Sequence, residues 1–197
     1  MKKYLQIDLL ILAMRFLLAF TLWNYGYSKL TDGQFGLTDA ELNTPIKDLS
    51  LFRISWHMFE AEPFKSFVGL SQVITAALLV YKRTFLLGAL MAIPIFLNIL
   101  IIDITIMPLS FKIAFIFRLS FYLIFIGFIL WYHKKQVISA FKNLISAPNL
   151  KYKHNIKWFL IIPVYMVLLE IVNVIPQMIF SLIFYSDYTI NYLKNIF

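Results

Sequence analysis

Five long apolar runs in this 197-residue chain carry polar side chains where contact with lipid would demand hydrocarbon. Arg15 lies inside run 8–30, Gln72 inside 63–81, Asn98 and Asp103 inside 84–106, Arg118 and Tyr122 inside 110–132, and Glu170, Asn173 and Gln177 inside 158–185. A charge near the bilayer centre costs roughly 2.5 to 3.5 kcal/mol on insertion scales, so such groups should face protein or a cavity. Counted from the inner ends at about 1.5 Å per residue, Arg15, Gln72, Asn98, Arg118 and Glu170 fall within about 8 Å of one another along the membrane normal. Three chemistries fit one polar layer at that depth. The first is a satisfied network that fixes helix register. The second is a pocket for a quinone or another small molecule, in which Arg15, Arg118, Tyr25, Tyr122 or Asn98 donates to carbonyls between phenylalanine walls. The third is a transport path. A second group lies towards the outer end. Arg15, Leu18, Leu22, Tyr25 and Lys29 share one helix face at steps of three and four, and Tyr25 and Lys29 then form an outer polar cluster with Asp103. The alternative for Lys29 is that it snorkels to the interface.

Other chemistries have weaker support. Zero cysteines exclude thiol catalysis, iron–sulfur clusters and thiolate metal sites within this chain. His57, His133 and His154 fall outside the apolar runs, so no axial pair for haem can form in a bundle. His57 near Glu60 and Glu62 reads as interfacial decoration, and no metal site is assigned. No phosphate-binding glycine loop or nucleophile triad is visible, and no catalytic residue is assigned. A net charge of +8 invites a nucleic-acid reading. The basic residues gather in loops beside apolar spans, as attraction to anionic lipid and the positive-inside rule require, so no nucleic acid is expected.

The elements that must position these side chains are membrane helices. At 61% hydrophobic and 14% charged residues, the chain has too little polar surface to cover a soluble globule. The runs are continuous rather than alternating, which argues for an all-α polytopic bundle over an outer-membrane barrel. The expected spans are 8–30, 63–81, 84–106, 110–132 and 158–185, in one membrane domain. The start, Met1-Lys2-Lys3, imitates a signal peptide, but Arg15 and the ending Asn24-Tyr25-Gly26-Tyr27 mark a retained helix. In the loop 31–62, Leu49, Phe52, Trp56 and Phe59 recur at helical spacing, which predicts an amphipathic helix at the interface or capping the bundle. Ser66, Gly69, Gln72 and Ala76 form a small, polar stripe for close helix contact. Pro94 predicts a kink. Val137, Ile138, Phe141, Leu144 and Ile145 predict a second surface helix in the basic stretch after the fourth span.

Orientation follows from the basic residues. With the N-terminus inside, Lys2, Lys3, Lys82, Arg83, Lys134, Lys135, Lys142, Lys151, Lys153 and Lys157 are cytoplasmic. Lys29, Lys47, Arg53, Lys65, Lys112 and Lys194 lie on the other side. The bias puts the N-terminus in the cytoplasm and, after five spans, the C-terminus outside.

Several short motifs resemble the DoxX-like family: Gly26-Tyr27-Ser28-Lys29-Leu30, Gln34-Phe35, Ser55-Trp56-His57-Met58-Phe59, Gly69-Leu70-Ser71-Gln72, Lys82-Arg83-Thr84-Phe85-Leu86-Leu87-Gly88-Ala89, and Asn98. The likeness covers about the first 135 residues and leaves the fifth span outside it. It implies a four-helix membrane core, with some relatives tied to quinone-linked sulfur oxidation and others to membrane redox or cargo complexes. Family members often carry an acidic residue where this chain has Gln72, which would face the arginine of the first helix. The carboxylate opposite Arg15 must then come from elsewhere, and Glu170 is the acidic residue at comparable depth, with Arg118 competing for it. The leading expectation is an accessory or scaffold subunit of an envelope complex in the bacterial inner membrane, in contact with lipid and with other membrane or envelope proteins. The alternatives are a quinone-interacting subunit of a membrane oxidoreductase and a small transporter.

Overall fold

A computed structural model of the protein describes residues 2–145 and 156–184, in two compact units divided after Ile145. Every regular element among the described residues is helical: α1 (Lys2–Leu30), α2 (Asp39–Leu42), a 3-10 turn (Ile46–Asp48), α3 (Leu51–Glu60), α4 (Phe64–Val80), α5 (Phe85–Ile106), α6 (Leu109–Tyr132) and α7 (Lys134–Ile145) in the first unit. The second unit holds a 3-10 turn (Ile156–Ile161) and α8 (Ile162–Phe184). This is an all-α polytopic bundle of a multi-pass membrane protein. Continuous apolar runs become helices because a backbone in hydrocarbon must satisfy its own hydrogen bonds. The tail 186–197 and the basic residues Lys151, Lys153 and Lys194 lie outside the described residues.

Among the described residues, four helices are long and apolar enough to cross a membrane by themselves: 5–30 within α1, α5, 111–132 within α6, and 159–181 around α8. The expected second span differs from these. It is the 17-residue α4, at the short limit for a crossing, and it passes only together with α3, from which it is bent by 84° at Pro63. α4 reaches about 25 Å and α1 about 43 Å at 1.5 Å per residue, so the antiparallel pair cannot be level at both ends. α5 continues past Pro94 as one helix to Ile106. The expected fifth span begins as the 3-10 turn and becomes α-helical only at Ile162.

In the first unit α1 lies along α4, α5 packs on α4 and α6, and α6 closes back onto α1. Leu18, Leu22, Leu79, Phe96, Leu119, Ile126 and Ile129 are fully buried between them. Phe20, Phe67, Phe117, Phe121 and Ile124 are exposed, as lipid-facing side chains of a bundle are. Tyr132 donates to Asp8 Oδ1 at 2.6 Å, tying the end of α6 to the start of α1. The expected surface helix after the fourth span is α7, whose Ile138, Phe141, Leu144 and Ile145 are exposed.

The loop after α1 folds into a cap. Its amphipathic helix is α3, with Trp56 buried and Leu49 just outside the helix. Phe35, Phe52 and Phe59 pack around the Trp56 ring at centroid distances of 5.6, 4.2 and 6.2 Å. Gly36, at φ +106°, takes a conformation that L side chains rarely adopt, and this aims its carbonyl at Arg53 Nη2, 3.1 Å away. Arg53 also pairs with Glu41, whose Oε2 in turn accepts from the Thr38 backbone N–H at 2.9 Å. The Arg53 guanidinium and the Thr38 donors hold the Glu41 carboxyl down to about 2. Because that value lies below the ordinary glutamate range, the pair's contribution is complete above about pH 4.5 and is lost only as pH falls through about 2. In a variant whose only tryptophan is Trp56, emission should therefore stay constant from neutral pH down to about 4 and change only below about 3. A transition near pH 5 would show that this latch does not hold the cap.

Candidate functional site

Within the first unit the structure separates the polar residues that depth counting places in one layer. Arg15 donates from Nε and Nη2 to the Leu79 carbonyl at 3.2 and 3.0 Å, and from Nη2 to the Val80 carbonyl at 3.2 Å. Its guanidinium lies 4.2 Å from the centre of the Phe85 ring. Leu79 and Val80 are the last residues of α4, whose carbonyls have no partner within the helix, so Arg15 caps that helix. One expectation is corrected here. Arg15 is level with the inner end of the short α4 rather than with Gln72, which lies seven residues earlier, about 10 Å along the helix. Arg15 finds hydrogen-bond partners in carbonyls of the first unit. Glu170, Asn173 and Gln177 lie on α8, in the second unit.

Arg118 and Tyr122 form a separate group. Arg118 Nε donates to the Tyr122 hydroxyl at 2.7 Å, and Thr21 Oγ1 donates to the same oxygen at 3.3 Å. Tyr122 is buried against Phe96, while Arg118 remains exposed on α6.

The remaining residues converge. Gln72 and Asn98 meet Lys29 and Asp103 around one cavity of about 480 Å³ at the end of the bundle where α1 finishes and α4 begins. α1 supplies Lys29, α4 supplies Ser71 and Gln72, and α5 supplies Asn98 and, five residues on, Asp103. The cap closes one side with Phe35, Trp56 and Phe59, and Phe64, Phe67, Met91 and Ile95 form apolar walls. Phe67 is 72% exposed, so the apolar wall continues to the lipid-facing surface. The volume lies within the range of small-molecule sites.

Lys29 and Asp103 are 5% and 4% exposed, and their charges act on each other. They do not close into an ion pair. Lys29 Nζ donates instead to Gln34 Oε1 at 2.8 Å and to the Tyr25 carbonyl at 3.3 Å, and sits 5.4 Å and 5.5 Å from the Phe35 and Tyr25 ring centres. No hydrogen bond reaches the Asp103 carboxylate from another described residue. Gln72 is 1% exposed, and its Oε1 has no protein partner; the Tyr25 hydroxyl is likewise buried without one. Among the described residues no group of three His, Asp or Glu converges as a metal site would. The spacing of polar residues within the spans points to Lys29, Gln72, Asn98 and Asp103. It does not flag Gln34 or Phe35 as site residues, and these appear only within a short DoxX-like motif.

No family model and no solved structure matches the chain. Over 90 residues, 45% of this chain, it is 34% identical to a Bacillus subtilis (strain 168) protein whose name is "Uncharacterized protein YwoB". The matched stretch spans 57% of that protein's length, so the likeness joins part of one chain to part of another.

Proposed function

We propose that the chain is a membrane-embedded binding protein that holds a lipid-soluble small molecule between α1, α4 and α5, and that it serves as an accessory subunit in a bacterial inner membrane. One observation carries this reading: two buried opposite charges that form no direct ion pair, and a buried glutamine whose amide oxygen has no protein partner, belong to residues that line a single apolar-walled cavity. Buried polar groups are normally satisfied, so a set left open around a cavity of ligand size points to a bound molecule. The DoxX-like resemblance is part of the proposal, as is the orientation with a cytoplasmic N-terminus, which puts the cavity at the outer end. Docking to another membrane protein has its own support in Arg118, exposed within a spanning helix where an acceptor on a partner helix would lower its cost.

Solvent extraction of the protein purified in mild detergent, followed by mass spectrometry, tests the binding reading. The wild type should carry one small molecule enriched over its share of the membrane. Ser71→Phe, which fills the cavity, and Gln72→Leu should each retain about tenfold less at equal folded yield, a difference of about 1.4 kcal/mol. Equal content in all three proteins would sink the reading.

A further inference from the structure

We infer that the ligand of this cavity is a zwitterionic phospholipid with a primary ammonium head, its ammonium held by Asp103 and Gln72 and its phosphate by Lys29. The inference rests on the binding reading above and adds the chemical class.

The balance of charge comes first. Lys29 and Asp103 bring one positive and one negative charge into the same cavity, each buried to within a few per cent. A ligand with net charge would leave one charge in excess in a poorly solvated site, which is costly. A ligand neutral overall adds none. The separation of the two charges narrows the choice. Oppositely charged buried side chains normally meet directly, yet Lys29 is drawn to Gln34 and Tyr25, and Asp103 stands apart from it. A head that itself carries separated opposite charges matches that arrangement.

Hydrogen-bond capacity gives the polarity of each end. Lys29 has three N–H donors and uses two on the Gln34 amide and the Tyr25 carbonyl, which leaves one for an anionic oxygen. The Asp103 carboxylate accepts no hydrogen bond from another described residue, and Gln72 Oε1 has no protein partner. Both are acceptors in need of donors, and a primary ammonium carries three. A quaternary ammonium has none, and a quinone carbonyl only accepts, so either would leave the Asp103 carboxylate and Gln72 Oε1 without a donor. Chains attached to such a head have a route to the bilayer along the apolar wall that ends at the exposed Phe67.

The test uses the full-length chain in detergent, incubated with equimolar phosphatidylethanolamine, phosphatidylcholine, phosphatidylglycerol and diacylglycerol of identical chains and read by native mass spectrometry. Phosphatidylethanolamine should be retained about tenfold over each of the others. Asp103→Asn should abolish the preference over phosphatidylcholine, and Gln72→Met should weaken it; the second variant keeps the test valid if the first does not fold. Glycerophosphoethanolamine, which has no chains, should not displace the lipid at equal concentration. Equal retention of the ethanolamine and choline lipids by the wild type overturns the inference, as does a preference that survives in the folded variants or effective competition by the chainless head. If a different molecule is retained stoichiometrically, the head-group assignment falls and the binding reading stands. If nothing is retained, both fall.

Discussion

Replacing Lys29 with Met is expected to destabilise the detergent-solubilised protein by about 3 kcal/mol, and a second change, Asp103→Leu, to restore most of that loss. Lys29 is the cation whose charge acts on Asp103 in the cavity. Without it the carboxylate, 4% exposed and accepting no hydrogen bond from another described residue, keeps a buried charge with no compensation. Removing both members leaves an apolar cavity of nearly the same shape, which a bundle tolerates better than a lone charge. Lys29 also holds Gln34 and sits against Phe35, so the single variant should loosen the cap as well. The double variant cannot restore that contact, which is why recovery should be incomplete. Thermal unfolding of the two single variants and the double variant measures the coupling. Additive losses would show that the two charges are energetically independent and would remove the electrostatic basis of the site.

The second large effect is steric. Gly26→Ala should cost about 1 to 3 kcal/mol, the range for forcing extra volume into a packed interface, and Gly26→Leu should prevent folding. A Cβ on Gly26 would lie 2.6 Å from the Gly69 carbonyl oxygen and 2.8 Å from Val73 Cγ2. The first obstacle is backbone and cannot rotate away, so α1 and α4 would have to separate. Helices in lipid gain little from burying apolar surface and associate through close packing, so this crossing is where the pair is won or lost. It also sets the cavity, because Lys29 follows Gly26 by three residues and Gln72 follows Gly69 by three. Gly127 is the control. A Cβ there meets nothing within 4 Å, and Gly127→Ala should leave the melting temperature unchanged or raise it slightly. Equal tolerance at positions 26 and 127 would show that close approach at Gly26 is not needed.

Much of the architecture is legible in the chain because lipid imposes local rules. Apolar runs of this length must be helical, and the polar residues within them must turn away from hydrocarbon. The spacing of Leu49, Phe52, Trp56 and Phe59 is enough to read an amphipathic helix there, since which residues share a face is fixed by the helical repeat alone, although Leu49 falls just before α3. The stripe containing Gly69 and Gln72 was legible as a packing face for the same reason. Depth was not. Counting inward from each end assumes spans of similar reach, and α4 is far shorter than α1, so its end falls level with Arg15 and its free carbonyls meet an arginine 64 residues away. The arginine's need for a partner was evident from sequence, but whether a carboxylate or a helix end supplies it depends on where two distant segments stop. The sequence by itself therefore determined the helices, their polar faces and the groups that had to be hidden. Only the tertiary structure decided that Lys29, Gln72, Asn98 and Asp103 share one cavity apart from Arg15 and Arg118, because helix length, the bend at Pro63 and the Gly26–Gly69 approach together set which faces meet.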